Sequence, residues 1–372
     1  MTLVTSGFPS VEAAVQDGVS RGLHTGVQFY VSLNGIAVLD TALGESGPGR
    51  PMSNATIMPW RSAGKPLTAL LILKRLESQR FQLSTTLAEL LPEAANGDKQ
   101  RVTIEDLLTH QSGFPASETG WPHAEWIDSI AQVIAQPRSL DIGTAAYHPQ
   151  SSWFLLGEIL RRTSSAGADE SFASLLTREL LKPLGMNSTA CGLSEHDLEV
   201  QSDRLPVIYE RDRGQLVVSS FGSKPWLTRA SPGGNLRGPV RELGVFLELL
   251  LRKGKLADGT AFVSEQTVHQ MTTRRRINQY DQTLQHQIDF GLGLICNSSR
   301  YGSETVPYGF GRSAGESAYG HGGAQCSIGF CDPDHQLVVA WSANGFCGEG
   351  QHQRRNRLIN EAIYSDLQLT DH

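Results

Sequence analysis

The sequence predicts an α+β fold in which an antiparallel sheet flanked by helices is built from both chain ends and interrupted by a mostly helical insertion. Three observations lead there. Two short apolar runs, Gly26 to Leu33 and Ile36 to Ala42, flank Asn34-Gly35, a strong hairpin signal that argues against a parallel, doubly wound sheet. Helical periodicity then dominates as far as Leu181. Alternating, strand-like runs return from about Leu205 and continue into the last third. The implied division is a sheet domain of 1–82 with 206–372, an inserted helical domain of 83–205, and a site between them.

In chain order, Ser10 to Arg21 reads as an amphipathic helix with Val11, Ala14, Val15 and Val19 on one side and Gly22 just past its end. After the hairpin, Leu67, Leu70, Leu71, Leu73 and Leu76 mark a long apolar helix. Leu83 to Leu91 follows. Thr103 to His110 starts like a capping box, with Asp106 three residues after Thr103, and Gln111 to Pro115 turns the chain. Trp126 to Ala135, Ser152 to Arg162 and Ser171 to Leu181 are predicted helices, and Leu205 to Glu210 and Gln215 to Ser220 predicted strands. A helix over Val240 to Lys253 comes next. Phe290 to Ile295, Ala324 to Cys331 and Leu337 to Ala343 are predicted strands, and Gln353 to Tyr364 a closing helix. Arg274-Arg275-Arg276 reads as a solvated run, and Asp332-Pro333 as a tight turn.

A chain of 372 residues can bury a substantial core without staples. Its net charge of −6 is spread without blocks, and no basic face speaks for nucleic acid. The five cysteines, Cys191, Cys296, Cys326, Cys331 and Cys347, are odd in number and lack C-x-x-C spacing, so reduced thiols are expected. No apolar run reaches membrane-spanning length and the start lacks an export-like pattern, so no membrane association and a cytoplasmic location are expected.

The chemistry is read first at Ser62-Ala63-Gly64-Lys65-Pro66. Pro66 has no N–H and cannot lie deep in a helix, so Ser62 belongs to the first turn or the cap before it. Residues three apart share a helix face, which brings the Lys65 amine to the Ser62 hydroxyl: a nucleophile beside a possible base, with N-terminal N–H groups available for an oxyanion. One such tetrapeptide is weak, because a capping Ser and a solvated Lys fit it equally well.

Four further stretches strengthen it: Thr103 to Pro115; Tyr147-His148-Pro149 followed by Phe154 to Leu160; Ser231-Pro-Gly-Gly; and Tyr319-Gly-His-Gly-Gly-Ala324 running on to Pro333. In this order and spacing the chain resembles the serine β-lactamase and penicillin-binding-protein-like superfamily, in its branch of class C β-lactamases, D-aminopeptidases and β-lactamase-like esterases. The resemblance implies Ser62 as nucleophile, with Lys65 and Tyr147 sharing base duty. An exposed phenol titrates near about 10 and a lysine near about 10.4, so burial or proximity must lower one of them. It also implies that His321-Gly322-Gly323 is the strand lining the site, and that the N–H groups of Ser62 and Ala324 form the oxyanion hole. Glycine at 322 and 323 suits close approach to a ligand. Trp121, Trp126 and Trp153 are candidate walls of an apolar acyl pocket. Thr103 to Pro115 is read as a supporting turn.

Two departures shape the expected substrate. The family usually has an asparagine where Pro149 stands, and losing its amide favours an ester over an acylamino substrate. His321 would place a titrating cation where the family often has a fixed one. Gly311-Arg-Ser313-Ala-Gly315 fits the G-x-S-x-G elbow, yet loop-like sequence on both sides makes Ser313 a poor rival. The expected protein is a serine hydrolase or acyltransferase on a carboxylic ester or related small-molecule acyl donor, with no cofactor and no metal. The alternatives are a D-amino-acid-specific peptidase or amidase and a non-catalytic ligand-binding relative. Acyl group, leaving group and oligomeric state stay open.

Overall fold

A computed structural model describes residues 7–167 and 169–370. Helix α1 (Pro9–Ser20) leads into strands β1 (Gly26–Leu33) and β2 (Ile36–Gly47). Between the strands Asn34 and Gly35 have φ of 53° and 76°, the two left-handed residues that a tight hairpin turn needs. Helix α2 (Lys65–Glu77) follows, then α3 (Trp126–Ala135), α4 (Ser151–Arg162) and α5 (Val240–Leu251). The C-terminal part supplies β3 (Ile295–Cys296), β4 (Tyr319–Gly323), β5 (Ser327–Asp332), β6 (Leu337–Ala343) and helix α6 (Glu349–Asp366).

The main sheet runs β3-β4-β5-β6-β1-β2 and ends on the short strand Arg50–Pro51, every neighbouring pair antiparallel. Its central seam joins the two chain ends, with Val27 opposite Ala343 and Leu33 opposite Leu337. The two faces feed two cores. Ile328, Phe330, Val339 and Trp341 pack with Val11 and Val15 of α1 and Ile359 and Ile363 of α6. Cys331, Val338 and Ala340 join Leu243 and Leu247 of α5 and the apolar residues of α2 and α4. A sheet covered on both faces explains why every residue of β5 and β6 is buried, with no alternation of buried and exposed positions.

Helix α2 is the pillar of the second core. Every residue from Lys65 to Leu73 is buried, so one cluster continues from the sheet side through α2 into α4 and the insertion. The predicted capping box at Thr103 is formed: Asp106 N–H donates to Thr103 Oγ1 at 3.1 Å and Thr103 N–H to Asp106 Oδ2 at 2.8 Å. All five cysteines are buried and free. Among the described residues no helix is long and apolar enough to cross a membrane.

Several segments differ from expectation. Phe290 to Leu294 bends over the end of the sheet through isolated bridges, leaving Ile295–Cys296 as the strand. Ala324 to Cys326 are the turn between β4 and β5. The strand expected at Leu205 begins at Tyr209, pairs with Gln215–Val218 and adds Gly345–Phe346 in parallel. Helix α6 starts a turn early, because its first turn is polar and the apolar signal begins only at Ile359. The Arg274 to Arg276 run is not a solvated face: Arg276 is fully buried, 2.8 Å from the equally buried Asp281, and Arg274 lies 3.2 Å from Asp289. A carboxylate that charges cannot be buried without a partner, and these arginines neutralise two such acids.

Candidate active site

Ser62 lies in a 3₁₀ turn, Arg61–Gly64, that runs directly into α2. Arg61 has φ of 51°, a strained setting for a residue with a side chain, and its guanidinium sits 5.0, 5.6 and 5.7 Å from the rings of Phe221, Trp226 and Phe346. On its other side the turn is tied to the sheet. Ser327 O–H donates to Trp60 O at 2.6 Å, and a methyl group at Gly323 would come within 2.2 Å of the same carbonyl. That contact explains glycine at 323 and holds the β4 to β5 turn, with Ala324, beside Ser62.

Lys65 Nζ stands 3.0 Å from Ser62 Oγ, 2.8 Å from Pro149 O, and in close contact with Gly233 O. Burial, reinforced by the charge of Arg61, pushes its pKa well below the lysine range. A neutral amine has two N–H groups and one lone pair. The two carbonyls accept N–H groups of the Lys65 amine, and its remaining position faces the Ser62 hydroxyl. The Ser231-Pro-Gly-Gly loop is shaped for this contact: Thr68 O–H donates to Pro232 O at 2.9 Å, and a methyl group at Gly233 would meet Trp153 Cβ at 2.8 Å and Pro149 O at 3.0 Å.

Tyr147 is packed, 8% exposed, against His110 at 4.6 Å and His321 at 5.8 Å between ring centroids. Its backbone N–H donates to Asp281 Oδ1 at 3.0 Å, which makes the buried Arg276–Asp281 pair a support for this tyrosine. Burial raises the phenol's pKa far above its ordinary value, against the lowering effect of a hydrogen bond with Ser62. Tyr147 is therefore a neutral phenol, and Lys65 is the group of the pair whose charged form burial disfavours. Beneath it, His148 N–H donates to His110 Nδ1 at 3.0 Å, while Phe114 N–H and Ser112 Oγ reach His148 Nε2 at 3.1 and 3.0 Å, so the Thr103 to Pro115 segment carries the tyrosine loop.

His321 departs from the expected titrating cation. Its Nδ1–H donates to Gly322 O at 2.7 Å, Nε2 has no partner among the described residues, and burial brings its pKa down to about 3. At neutral pH it is an uncharged acceptor.

Ser62, Tyr147, His321, Gly322 and Ala324 line one cavity of about 480 Å³; Gly323 turns instead to Trp60. Trp153 does not line it. The indole is fully buried with Lys65 Nζ 5.1 Å from its ring, so it shields the lysine from water and is no wall for an acyl group. Trp121 and Trp126 border a separate cleft of about 780 Å³. Ser313 sits in a loop away from this cavity, between neither a strand nor a helix.

Arg61, Gln150, Tyr308 and Glu349 are among the pocket residues that escape sequence reasoning. Gln150 matters because Pro149 has no amide to offer. Its Oε1 accepts from Ser231 O–H at 2.5 Å, and its Nε2 lies against Gly234, where a methyl group would come within 2.6 Å. That leaves an amide N–H₂ facing the cavity. Its position straight after Pro149 was the only signal.

The family model described as Beta-lactamase matches residues 11–364. The curated protein "Esterase/beta-lactamase LipL" of Mycobacterium tuberculosis is 21% identical over 339 residues, which cover 84% of this chain and 70% of LipL. A family VIII carboxylesterase structure aligns with a TM-score of 0.76 at 23% identity, covering 98% of this chain and 99% of that one. EstCE1, described as a hydrolase with promiscuous acyltransferase activity, aligns with a TM-score of 0.78 at 17% identity over 96% and 98% of the two chains. Identities this low speak for the fold alone, but the family match spans nearly the whole chain, and the protein belongs to the Beta-lactamase family.

Proposed function

We propose that this chain is a serine hydrolase or acyltransferase that acts through an acyl-enzyme on carboxylic esters or related acyl donors. The observation that carries the reading is the buried Lys65 amine, its pKa driven well down by burial, held by two carbonyls with Nζ 3.0 Å from Ser62 Oγ. Lys65 takes the Ser62 proton as Oγ attacks the acyl carbon, and the N–H groups of Ser62 and Ala324 receive the oxyanion. Tyr147 donates its phenolic proton to the leaving oxygen as the C–O bond breaks, and regains one from Lys65. Water, or an acceptor alcohol or amine, then attacks the acyl-enzyme by the reverse sequence and frees Ser62.

The test is labelling with a fluorophosphonate, followed by intact-protein and peptide mass spectrometry. One adduct on Ser62, lost in Lys65→Ala, is expected. Ser62→Ala should reduce ester turnover to background, at least about a thousandfold, whereas Ser313→Ala should not. A Ser62→Ala variant with full activity sinks the assignment.

Gln150 favours a second reading, an amidase or D-amino-acid-specific peptidase, since its free N–H₂ can bind an acyl-side carbonyl oxygen. Matched p-nitrophenyl esters and D-aminoacyl amides separate the two, and amide rates equal to or above ester rates reverse the order.

A further inference from the structure

Tyr308 is a bulky aromatic residue with φ of 55°, a conformation that costs about 1–3 kcal/mol and persists where the surroundings enforce it. Here they enforce it from three sides. Its N–H donates to Gln353 Oε1 at 2.8 Å, its ring lies on the backbone of Gly322, where a methyl group would come within 2.1 Å, and its hydroxyl donates to Glu349 Oε2 at 2.7 Å. All of these groups border the Ser62 cavity. The strained tyrosine thus holds one carboxylate oxygen at the cavity wall, and Oε1 of Glu349 has no partner among the described residues.

The charges around this carboxylate do not cancel it. Among the described residues no basic side chain is within ion-pair distance of Glu349. Arg355 lies behind the wall with its guanidinium on the carbonyls of Leu23, Gln325 and Gly345. Arg61, the remaining cation of the lining, is turned onto Phe221, Trp226 and Phe346, whose rings border a different crevice. Lys65 and His321 are held neutral by burial. The N-terminal end of α6, worth roughly half a positive charge, does not outweigh a full carboxylate. The Glu349 carboxylate thus borders the cavity beside Tyr147 and Tyr308, with the Arg61 guanidinium of the same lining engaged on aromatic rings, a setting in which the unpaired carboxylate attracts a cation through its charge.

We propose that Glu349, held by Tyr308, selects substrates bearing a positive charge, an ammonium or quaternary ammonium group on the acyl or the alcohol part. This rests on the hydrolase reading above. The test uses two isosteric pairs: butyrylcholine against 3,3-dimethylbutyl butyrate, with the charge on the alcohol, and the p-nitrophenyl esters of 4-(trimethylammonio)butyrate and 5,5-dimethylhexanoate, with the charge on the acyl group. In the wild type the charged member of at least one pair is expected to have about tenfold higher kcat/KM, a preference that shrinks with added salt. Glu349→Gln, which keeps the shape and the bond from Tyr308, should bring that ratio near one; Tyr308→Phe should lower it by about threefold. Ser62-dependent hydrolysis with no preference in either pair, or a preference that survives in Glu349→Gln, overturns this proposal and leaves the hydrolase reading standing. No turnover of any of the four esters together with no fluorophosphonate adduct on Ser62 overturns both.

Discussion

Lys65 and His321 show how burial decides chemistry residue by residue. Water would keep the lysine charged to a pH of about 10.4; the interior, with Arg61 adding repulsion, favours its amine. In the proposed mechanism the active form is the deprotonated one, so kcat/KM should rise with pH along a single acid limb whose midpoint lies well below the lysine range. His321, at about 3, should add no limb between pH 5 and 9. A pH profile checks both, and a midpoint near 10 would show that burial does not activate Lys65. Lys65→Arg, which cannot deprotonate, should lower kcat at least about a hundredfold. Asp281 acts indirectly. Its carboxylate pairs with buried Arg276 and accepts the N–H groups of Tyr147, Thr283 and Leu284, so Asp281→Ala leaves an uncompensated guanidinium and should cost about 3–5 kcal/mol in denaturant unfolding.

At the scale of elements, the Ser231 to Asn235 loop connects Thr68, Lys65 and Gln150. Its carbonyls serve Thr68 and Lys65, its Ser231 hydroxyl holds Gln150, and its glycines let it lie flat on the start of α4. Gly233→Ala puts a methyl group 2.8 Å from Trp153 and should push the loop off Lys65. A displacement of about 1 Å is worth up to about a hundredfold in rate, so kcat should fall at least tenfold while the fluorophosphonate still reaches Ser62. Unchanged kcat would show that the carbonyl of Gly233 does not position the lysine. Helix α6 contributes by its early start, which carries Glu349 and Gln353 to the cavity.

For the whole molecule, packing on both sides of the sheet leaves several histidines buried without charge. Burial places His24, His148 and His321 each at about 3, against an ordinary value near about 6.5. The unfolded chain binds protons at these sites first, so their stability is complete above about pH 6.5 and is lost as pH falls from there towards 3. At pH 5 each should cost roughly 2 kcal/mol, an order-of-magnitude figure, and thermal unfolding should move to markedly lower temperature between pH 7 and pH 5. A melting temperature that does not change over that interval would mean these rings are charged in the folded state.

Local chemistry made much of this protein readable from its sequence. The Asn34-Gly35 hairpin, the Thr103 capping box, the periodic helices and the Ser62 to Lys65 spacing depend on neighbours a few residues apart, so they were accessible without coordinates. Contacts across hundreds of residues were not. Only the tertiary structure brings the carbonyls of Pro149 and Gly233 to Lys65, buries Arg276 on Asp281, hides Trp153 beneath the site, strips His321 of its proton, and sets Tyr308 against Glu349. Side-chain identity and spacing say which groups are available. Burial and long-range partners determine their charge, their direction and whether a substrate meets them.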